Sequence, residues 1–355
     1  LAYQAFVNTY YCFTGIKENA AIEAERLGRY LIAKGKQIER APYLDCSYLN
    51  MMLSIESNPG GELSHQAYHN LSKGNLSGAR LIGNKESTIK DDIKNNYEKY
   101  DGFVVLHGTD TMAFTASALS FMLQNLSKPV IMTGSQIPLS ELRSDGHHNL
   151  LNAIYMAAYY PIPEVSLFFN NKLYRGNRSI KVNAAGFDAF ASPNYPCLAE
   201  AGINIDLKVG EISDGPLKPL QVATINPQAI GVLMLYPGIT TNLIESFLNQ
   251  PIKALILLTY GAGNAPQNPA ILDCLSKANE RGLIVINLTQ CMQGKVSMEG
   301  YATGNALSKT GVISGADMTT EAALAKLHYL MSKPYNVGQI REAMQKNLAG
   351  ELSEN

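Results

Sequence analysis

Six short apolar runs punctuate the chain, each closed by glycine or a polar corner. They are FVVLHG (103–108), PVIMTGS (129–135), VSLFFNN (165–171), GVLMLYPG (231–238), KALILLTYGAG (253–263) and LIVINLTQC (283–291). The runs are near-continuously apolar rather than alternating, which is the pattern of parallel strands covered on both faces. Between them, residues 111–123, 146–159, 241–249, 269–281 and 319–332 repeat apolar positions with helical spacing. Ser144 or Asp145, and Thr241 or Asn242, stand where two of these helices need an N-cap. Strand and helix in alternation predict an α/β fold with a parallel sheet.

The alternation lapses at 207–221, LKVGEISDGPLKPLQ, a polar stretch with glycine and two prolines. This lapse predicts a larger N-terminal α/β domain over 1–209, a linker at 210–221 and a smaller C-terminal α/β domain with a parallel sheet over 222–355. The length of 355 residues suits two domains, because one core rarely grows beyond about 250–300 residues. The first 90 residues are loop-rich, as in SNPGGELS (57–64), and lack the clear periodicity of the rest.

A composition of 46% hydrophobic and 17% charged residues changes little in this picture, being that of an ordinary globular chain. The net charge of −1 removes any bulk electrostatic drive toward nucleic acid or an anionic membrane. A small, compact substrate is the expectation. Five scattered cysteines without a Cys-x-x-Cys pair predict reduced thiols and a cytoplasmic protein. No run reaches the roughly 18 apolar residues of a membrane span, and the N-terminus has no basic stretch of the signal-peptide kind. His65 and His69 could share a helix face but have no carboxylate or cysteine partners, so no metal site is expected.

In open parallel sheets, ligands bind beyond the carboxyl ends of the strands. Three corners rich in glycine and short polar side chains fall there: Gly108-Thr109-Asp110, Gly134-Ser135-Gln136, and Gly261 with Gly263 and Asn264. Each corner alone is explained by glycine relieving strain while Thr and Asp cap the next helix. The concurrence of three favours a site for a small polar ligand. The segment NNKLYRGNRSIKVNAAGFDAFASPN (170–194) is basic through Lys172, Arg175, Arg178 and Lys181. It is either a solvated basic loop or the source of a lysine that acts as general base toward a hydroxyl, and spacing does not separate the two. Cys291, just after a strand, reads as a small buried hydrophobe. No Gly-x-Ser-x-Gly elbow and no phosphate-loop order occur.

Taken together, DGFVVLHGTDTMAFTASALSFML, KPVIMTGSQIPLSELRSDG, the 170–194 segment, YGAGNAPQN, NLTQCMQGKV and GYATGNAL resemble the bacterial type I, cytosolic L-asparaginases of the asparaginase/glutaminase family. The resemblance covers about residues 91–350, in order. It implies an amidohydrolase that converts L-asparagine to L-aspartate and ammonia without a cofactor, acting more weakly on L-glutamine. In that family one threonine, in a mobile N-terminal loop, attacks the side-chain amide. A second threonine works with an Asp and a Lys, matched here by Thr109, Asp110 and Lys181. The resemblance implies that Lys181, its pKa depressed by burial, deprotonates Thr109 or relays a proton. Asp110 would hold the substrate's α-ammonium, Gly108 would let the backbone approach, and Ser135 would line the same pocket. Asn264 matches a position that family members contribute from a neighbouring subunit, which implies a homo-oligomer, dimer or tetramer, with sites at the interface.

The family's Thr-Gly-Gly-Thr-Ile motif is missing. Its nearest counterpart is CFTGIKEN, in which Thr14 stands as the nucleophile and Ile16 replaces a flexible glycine. The family's substrate-binding Asp-Ser-Ser-Asp-Met element is matched best by PYLDCSYLNM, through Asp45 and Ser47. Besides an active enzyme, these departures leave open a catalytically impaired asparaginase-like protein that only binds amino acids. The asparaginase-like subunit of a tRNA-dependent amidotransferase is a third reading, which the near-neutral charge disfavours.

Overall fold

The computed structural model describes residues 9–13, 86–100, 102–137, 143–160, 162–208, 218–298 and 302–353. Thr14, Asp45 and Ser47, and also His65 and His69, lie outside the described residues. In the N-terminal half the strands are β1 (Thr9–Phe13), β2 (Gly102–Leu106), β3 (Leu123–Gln124), β4 (Val130–Thr133) and β5 (Val165–Phe169). They continue with β6 (Lys172–Arg175), β7 (Ile180–Lys181), β8 (Phe190–Ala191), β9 (Ala199–Ala201) and β10 (Ile205–Leu207). The helices here are α1 (Glu86–Asn96), α2 (Met112–Met122) and α3 (Gly146–Tyr159). The C-terminal half carries β11 (Gln221–Val222), β12 (Ile230–Met234), β13 (Ala254–Thr259), β14 (Ile284–Thr289) and β15 (Ile313–Ser314). Its helices are α4 (Thr241–Leu248), α5 (Pro269–Glu280), α6 (Ala302–Lys309), α7 (Thr320–Met331) and α8 (Val337–Met344).

Seven strands form the first sheet in the order β1-β2-β4-β5-β6-β9-β10. Only β2, β4 and β5 run parallel; β1, β6, β9 and β10 pair antiparallel to their neighbours. The parallel strands expected from the apolar runs form the centre of this sheet, and antiparallel strands flank them. The central strands read as continuous apolar runs because both faces are covered. Val104, Leu106 and Ile131 face α3 through Leu150 and Ile154, whereas Phe103, Val105 and Met132 face α1 and α2 through Ile93, Met112 and Leu119. The second sheet, β12-β13-β14-β15, is parallel throughout. It packs between α7 and α8 on one face and α4 and α5 on the other.

The two halves share side chains. Phe121 of α2 is buried in the C-terminal core and its ring stacks on Tyr329 of α7, with centroids 5.7 Å apart. One expected cap shifts and one holds its position. Thr240, not Thr241 or Asn242, caps α4, because its backbone is still extended and its side chain accepts from the Leu243 N–H. Asp145 does occupy the N-cap position of α3 but makes no cap bond, its carboxylate being engaged elsewhere.

Candidate active site

The carboxyl ends of β2 and β4 lie side by side, since those strands are parallel neighbours and the His107 N–H donates to the Thr133 carbonyl. The chain must turn at both ends in little space. A Cβ on Gly134 would lie 2.3 Å from the His107 carbonyl oxygen and 2.9 Å from Met112 Cε, so glycine is required there.

His107 fixes the first turn from below. It is buried, with Nδ1 2.7 Å from the Gly108 carbonyl and Nε2 2.9 Å from Thr115 Oγ1 of α2. A carbonyl can only accept, so Nδ1 carries the proton and Nε2 accepts from the Thr115 hydroxyl. Burial pushes the His107 pKa below its ordinary value, against the opposing pull of the Gly108 bond. The imidazole is thus a neutral strut beneath Gly108 and Thr109.

Thr109 and Asp110 do not cap the following helix. Thr111 occupies that position and makes no side-chain cap bond. The Thr109 hydroxyl instead donates to Gln136 Oε1 at 2.9 Å and accepts from Lys181 Nζ at 2.8 Å. The same nitrogen donates to Asp110 Oδ1 at 2.7 Å. The lysine side chain is 18% exposed, whereas that of Asp110 is 87% exposed. The amine is thus sheltered while its carboxylate partner faces solvent, where a solute could reach it.

Gln136 links the three elements of the site. Its side-chain N–H donates to the Gly186 carbonyl at 3.0 Å in the β7–β8 hairpin that carries Lys181. Its backbone N–H, and that of Ile137, donate to the Asp145 carboxylate. This is what occupies Asp145 in place of a helix cap. Gln136, rather than its neighbour Ser135, is the member of that corner bonded to Thr109. Its type, at the end of a parallel strand and next to the expected Ser135, was the available sequence signal.

The 170–194 segment is not a solvated basic loop. It contains β6, β7 and β8, and Arg178 is buried while Arg175 pairs with Glu164 at 2.6 Å. Asn264 stands in the turn after β13, which a Tyr260–Asn264 bridge closes. Cys291, expected to be buried, is exposed.

A hydroxyl, an amine and an exposed carboxylate meet beyond the parallel strands of an α/β protein, the place where open sheets of this kind take small ligands. Comparison with known proteins narrows that class. The family model described as Asparaginase, N-terminal, matches residues 63–212, and the Glutaminase/Asparaginase C-terminal domain matches residues 229–344. The chain is 63% identical over 265 residues to L-asparaginase 1 of Escherichia coli (strain K12), covering 75% of this chain and 78% of that protein. The crystal structure of L-asparaginase I from Vibrio cholerae O1 biovar eltor aligns with a TM-score of 0.73 at 59% identity, covering 76% of this chain and 81% of that one. A 60 kDa lysophospholipase of Homo sapiens is 50% identical over 264 residues, covering 74% of this chain and 46% of that protein. The chain belongs to the asparaginase/glutaminase family. Family likeness begins at residue 63, upstream of the boundary near 91 drawn from motifs.

Proposed function

We propose that this protein hydrolyses the side-chain amide of L-asparagine, giving L-aspartate and ammonia. The contact of Lys181 with both Thr109 and Asp110 carries this reading. In the resting site Lys181 Nζ donates to both partners. A substrate α-ammonium that takes the exposed Asp110 carboxylate frees the lysine from that partner. Lys181 then serves as the base that takes the Thr109 hydroxyl proton, directly or in relay to the attacking residue. Attack forms an ester to the enzyme, the amide C–N bond breaks, and the nitrogen leaves as ammonia after taking a proton. Water then cleaves the ester and releases aspartate.

Thr14 is the proposed nucleophile, Asp45 and Ser47 the proposed contacts to the amino-acid end of the substrate, and Gly108 and Ser135 the proposed pocket walls. Asn264 is proposed to complete the site of a neighbouring copy, so the working form is a homo-oligomer. We read the chain as two asparaginase domains, 1–209 and 222–355, joined at 210–221. The separate sheets and the two family matches support this division. A cytoplasmic location belongs to the same reading; no helix among the described residues is long and apolar enough to cross a membrane.

The test is ammonia release by the purified protein offered L-asparagine or L-glutamine, with fatty-acid release from lysophosphatidylcholine measured alongside. The proposal predicts ammonia from L-asparagine, less from L-glutamine, and no fatty acid from lysophosphatidylcholine, which has no α-amino-acid head for Asp110. Asparagine binding by calorimetry without ammonia release would instead establish an amino-acid-binding protein.

A further inference from the structure

The segment that carries Lys181 is held at both ends by the C-terminal half of the chain. Just before it, the short 3-10 turn Gly176–Arg178 meets the end of the protein. Asn177 Nδ2 donates to the Ala349 carbonyl at 2.8 Å, Arg178 Nε to the Gly350 carbonyl at 2.8 Å, and Arg178 Nη2 to Ser353 Oγ at 3.0 Å. Arg178 Nη1 pairs with Asp317 Oδ2 at 2.9 Å. Beyond Lys181, Asn194 Nδ2 donates to the carbonyls of Asp317 and Gly294, both at 3.1 Å, and Asn194 Oδ1 accepts from the Gly294 N–H at 2.8 Å.

One residue therefore touches both ends. Asp317 holds residue 178 through its carboxylate and residue 194 through its main-chain carbonyl. Its carboxylate is itself fixed by the Ser353 N–H at 2.9 Å and hydroxyl at 2.7 Å. Burial alone would push Asp317 up, but the Ser353 bonds and the Arg178 guanidinium together hold it below its ordinary value. Arg178 is only 2% exposed. Burying an arginine and a carboxylate is costly, and apolar residues of the same size would join two domains at least as firmly. What the arginine adds is direction: its Nε and Nη2 donate along fixed lines to the Gly350 carbonyl and Ser353 Oγ, and the Ser353 hydroxyl carries the constraint to the Asp317 carboxylate. Lys181 lies three residues past that guanidinium, and its amine must stay within bonding reach of Thr109.

We propose that Asp317 is a positioning residue for Lys181, acting through Arg178 and Asn194, so that the C-terminal half sets where the amine stands against Thr109. This rests on the reading of Lys181 and Thr109 as parts of the hydrolytic site. Asp317 touches neither of them; it fixes the two ends of the segment between. A misplacement on the order of 1 Å in such a pair costs about a hundredfold in rate when the geometry governs the chemical step.

The experiment compares the wild type with Asp317→Asn, which keeps the volume and one of the two acceptors for Ser353 while removing the charge that pairs with Arg178, and with Asn194→Ala, which cuts only the far tie. Two readouts are taken. The first is kcat and KM for ammonia release from L-asparagine, per folded molecule as counted by circular dichroism. The second is the rate of reductive methylation of Lys181, followed by peptide mass spectrometry against the exposed Lys277. Expected for Asp317→Asn are a kcat lower by about tenfold or more, a KM within about twofold, and Lys181 methylation faster by about fivefold, with Lys277 unchanged. Asn194→Ala should shift both readouts the same way and less. A lower melting temperature with kcat per folded molecule and Lys181 reactivity both unchanged would overturn the proposal and leave Asp317 a structural tie. If the wild type itself releases no ammonia, the hydrolytic reading fails, and the methylation rates still decide whether Asp317 positions Lys181.

Discussion

Lys181 Nζ lies 2.8 Å from Thr109 Oγ1, across 72 residues of sequence, and it holds the exposed Asp110 carboxylate with the same nitrogen. Three groups thus meet at one nitrogen, with Gln136 accepting from the Thr109 hydroxyl on the other side, and the carboxylate is the member that faces solvent. The Asp110 side chain is 87% exposed, so a solute reaches its carboxylate from solvent. The first prediction follows from that exposure.

Asp110→Asn removes the charge that would meet the substrate's ammonium and keeps the shape of the side chain. A hydrogen bond to a charged group contributes about 1.5–3 kcal/mol, so kcat/KM for L-asparagine should fall by roughly 10- to 100-fold, mainly through KM. Steady-state kinetics check this. An unchanged KM would show that the ammonium binds elsewhere.

Gly134→Ala should damage both stability and activity. The added Cβ meets the His107 carbonyl at 2.3 Å, so the β2 and β4 corners must separate. Overpacking of this kind costs about 1–3 kcal/mol, and the parting corners carry Thr109 and Gln136. Chemical denaturation together with ammonia release measures the two effects; a variant with wild-type values in both would contradict the close approach.

Lys326 and Glu351 form a fully buried pair at 2.6 Å that seats the C-terminal segment. The lysine also donates to the carbonyls of Met344 and Lys346, and the carboxylate accepts from the N–H groups of Leu348 and Ala349. Lys326→Met strands a buried carboxylate and should cost about 3–5 kcal/mol in urea unfolding. Adding Glu351→Leu should not restore stability, because two amides then lose their acceptor at about 1–3 kcal/mol each. A loss below about 1 kcal/mol for the single variant would count against the pair's role.

His107, His147 and His328 are all pushed below their ordinary value of 6.5 by burial. In the unfolded chain these groups take up protons as the pH falls through about 6.5, while the folded chain does not until its lower values are reached. Stability should therefore hold above about pH 7 and decline as the pH falls from about 6.5. Melting temperatures at a series of pH values read this directly, and a flat response between pH 7.5 and 5.5 would be inconsistent with neutral buried imidazoles.

The central strands and the helices beside them were legible because burial on both faces writes a continuous apolar run, and helical packing writes a 3.6-residue period. β6 to β10 were not, since strands of two to four residues take their register from distant partners rather than from their own pattern. Thr109, Asp110 and Lys181 were found through motif resemblance; their meeting across 72 residues is invisible to spacing. Arg178 looked like a surface cation because its partners, Gly350 and Ser353, lie more than 170 residues away. The turn chemistry misled at Thr109 and Asp110, where a capping pattern serves a different contact. Gln136 was passed over for Ser135, since the choice between neighbours depends on which side chain the turn aims inward.

The most direct measurement of the central claim is kcat for ammonia release from L-asparagine by Thr109→Val and Thr109→Ser. Valine matches threonine in shape but has no hydroxyl to bond Lys181 or Gln136, whereas serine keeps the hydroxyl. The account predicts that the valine variant falls by at least about a hundredfold, in the range of lost acid–base catalysis, while the serine variant retains much of the wild-type rate and both remain folded. A folded Thr109→Val variant with a wild-type rate would contradict it.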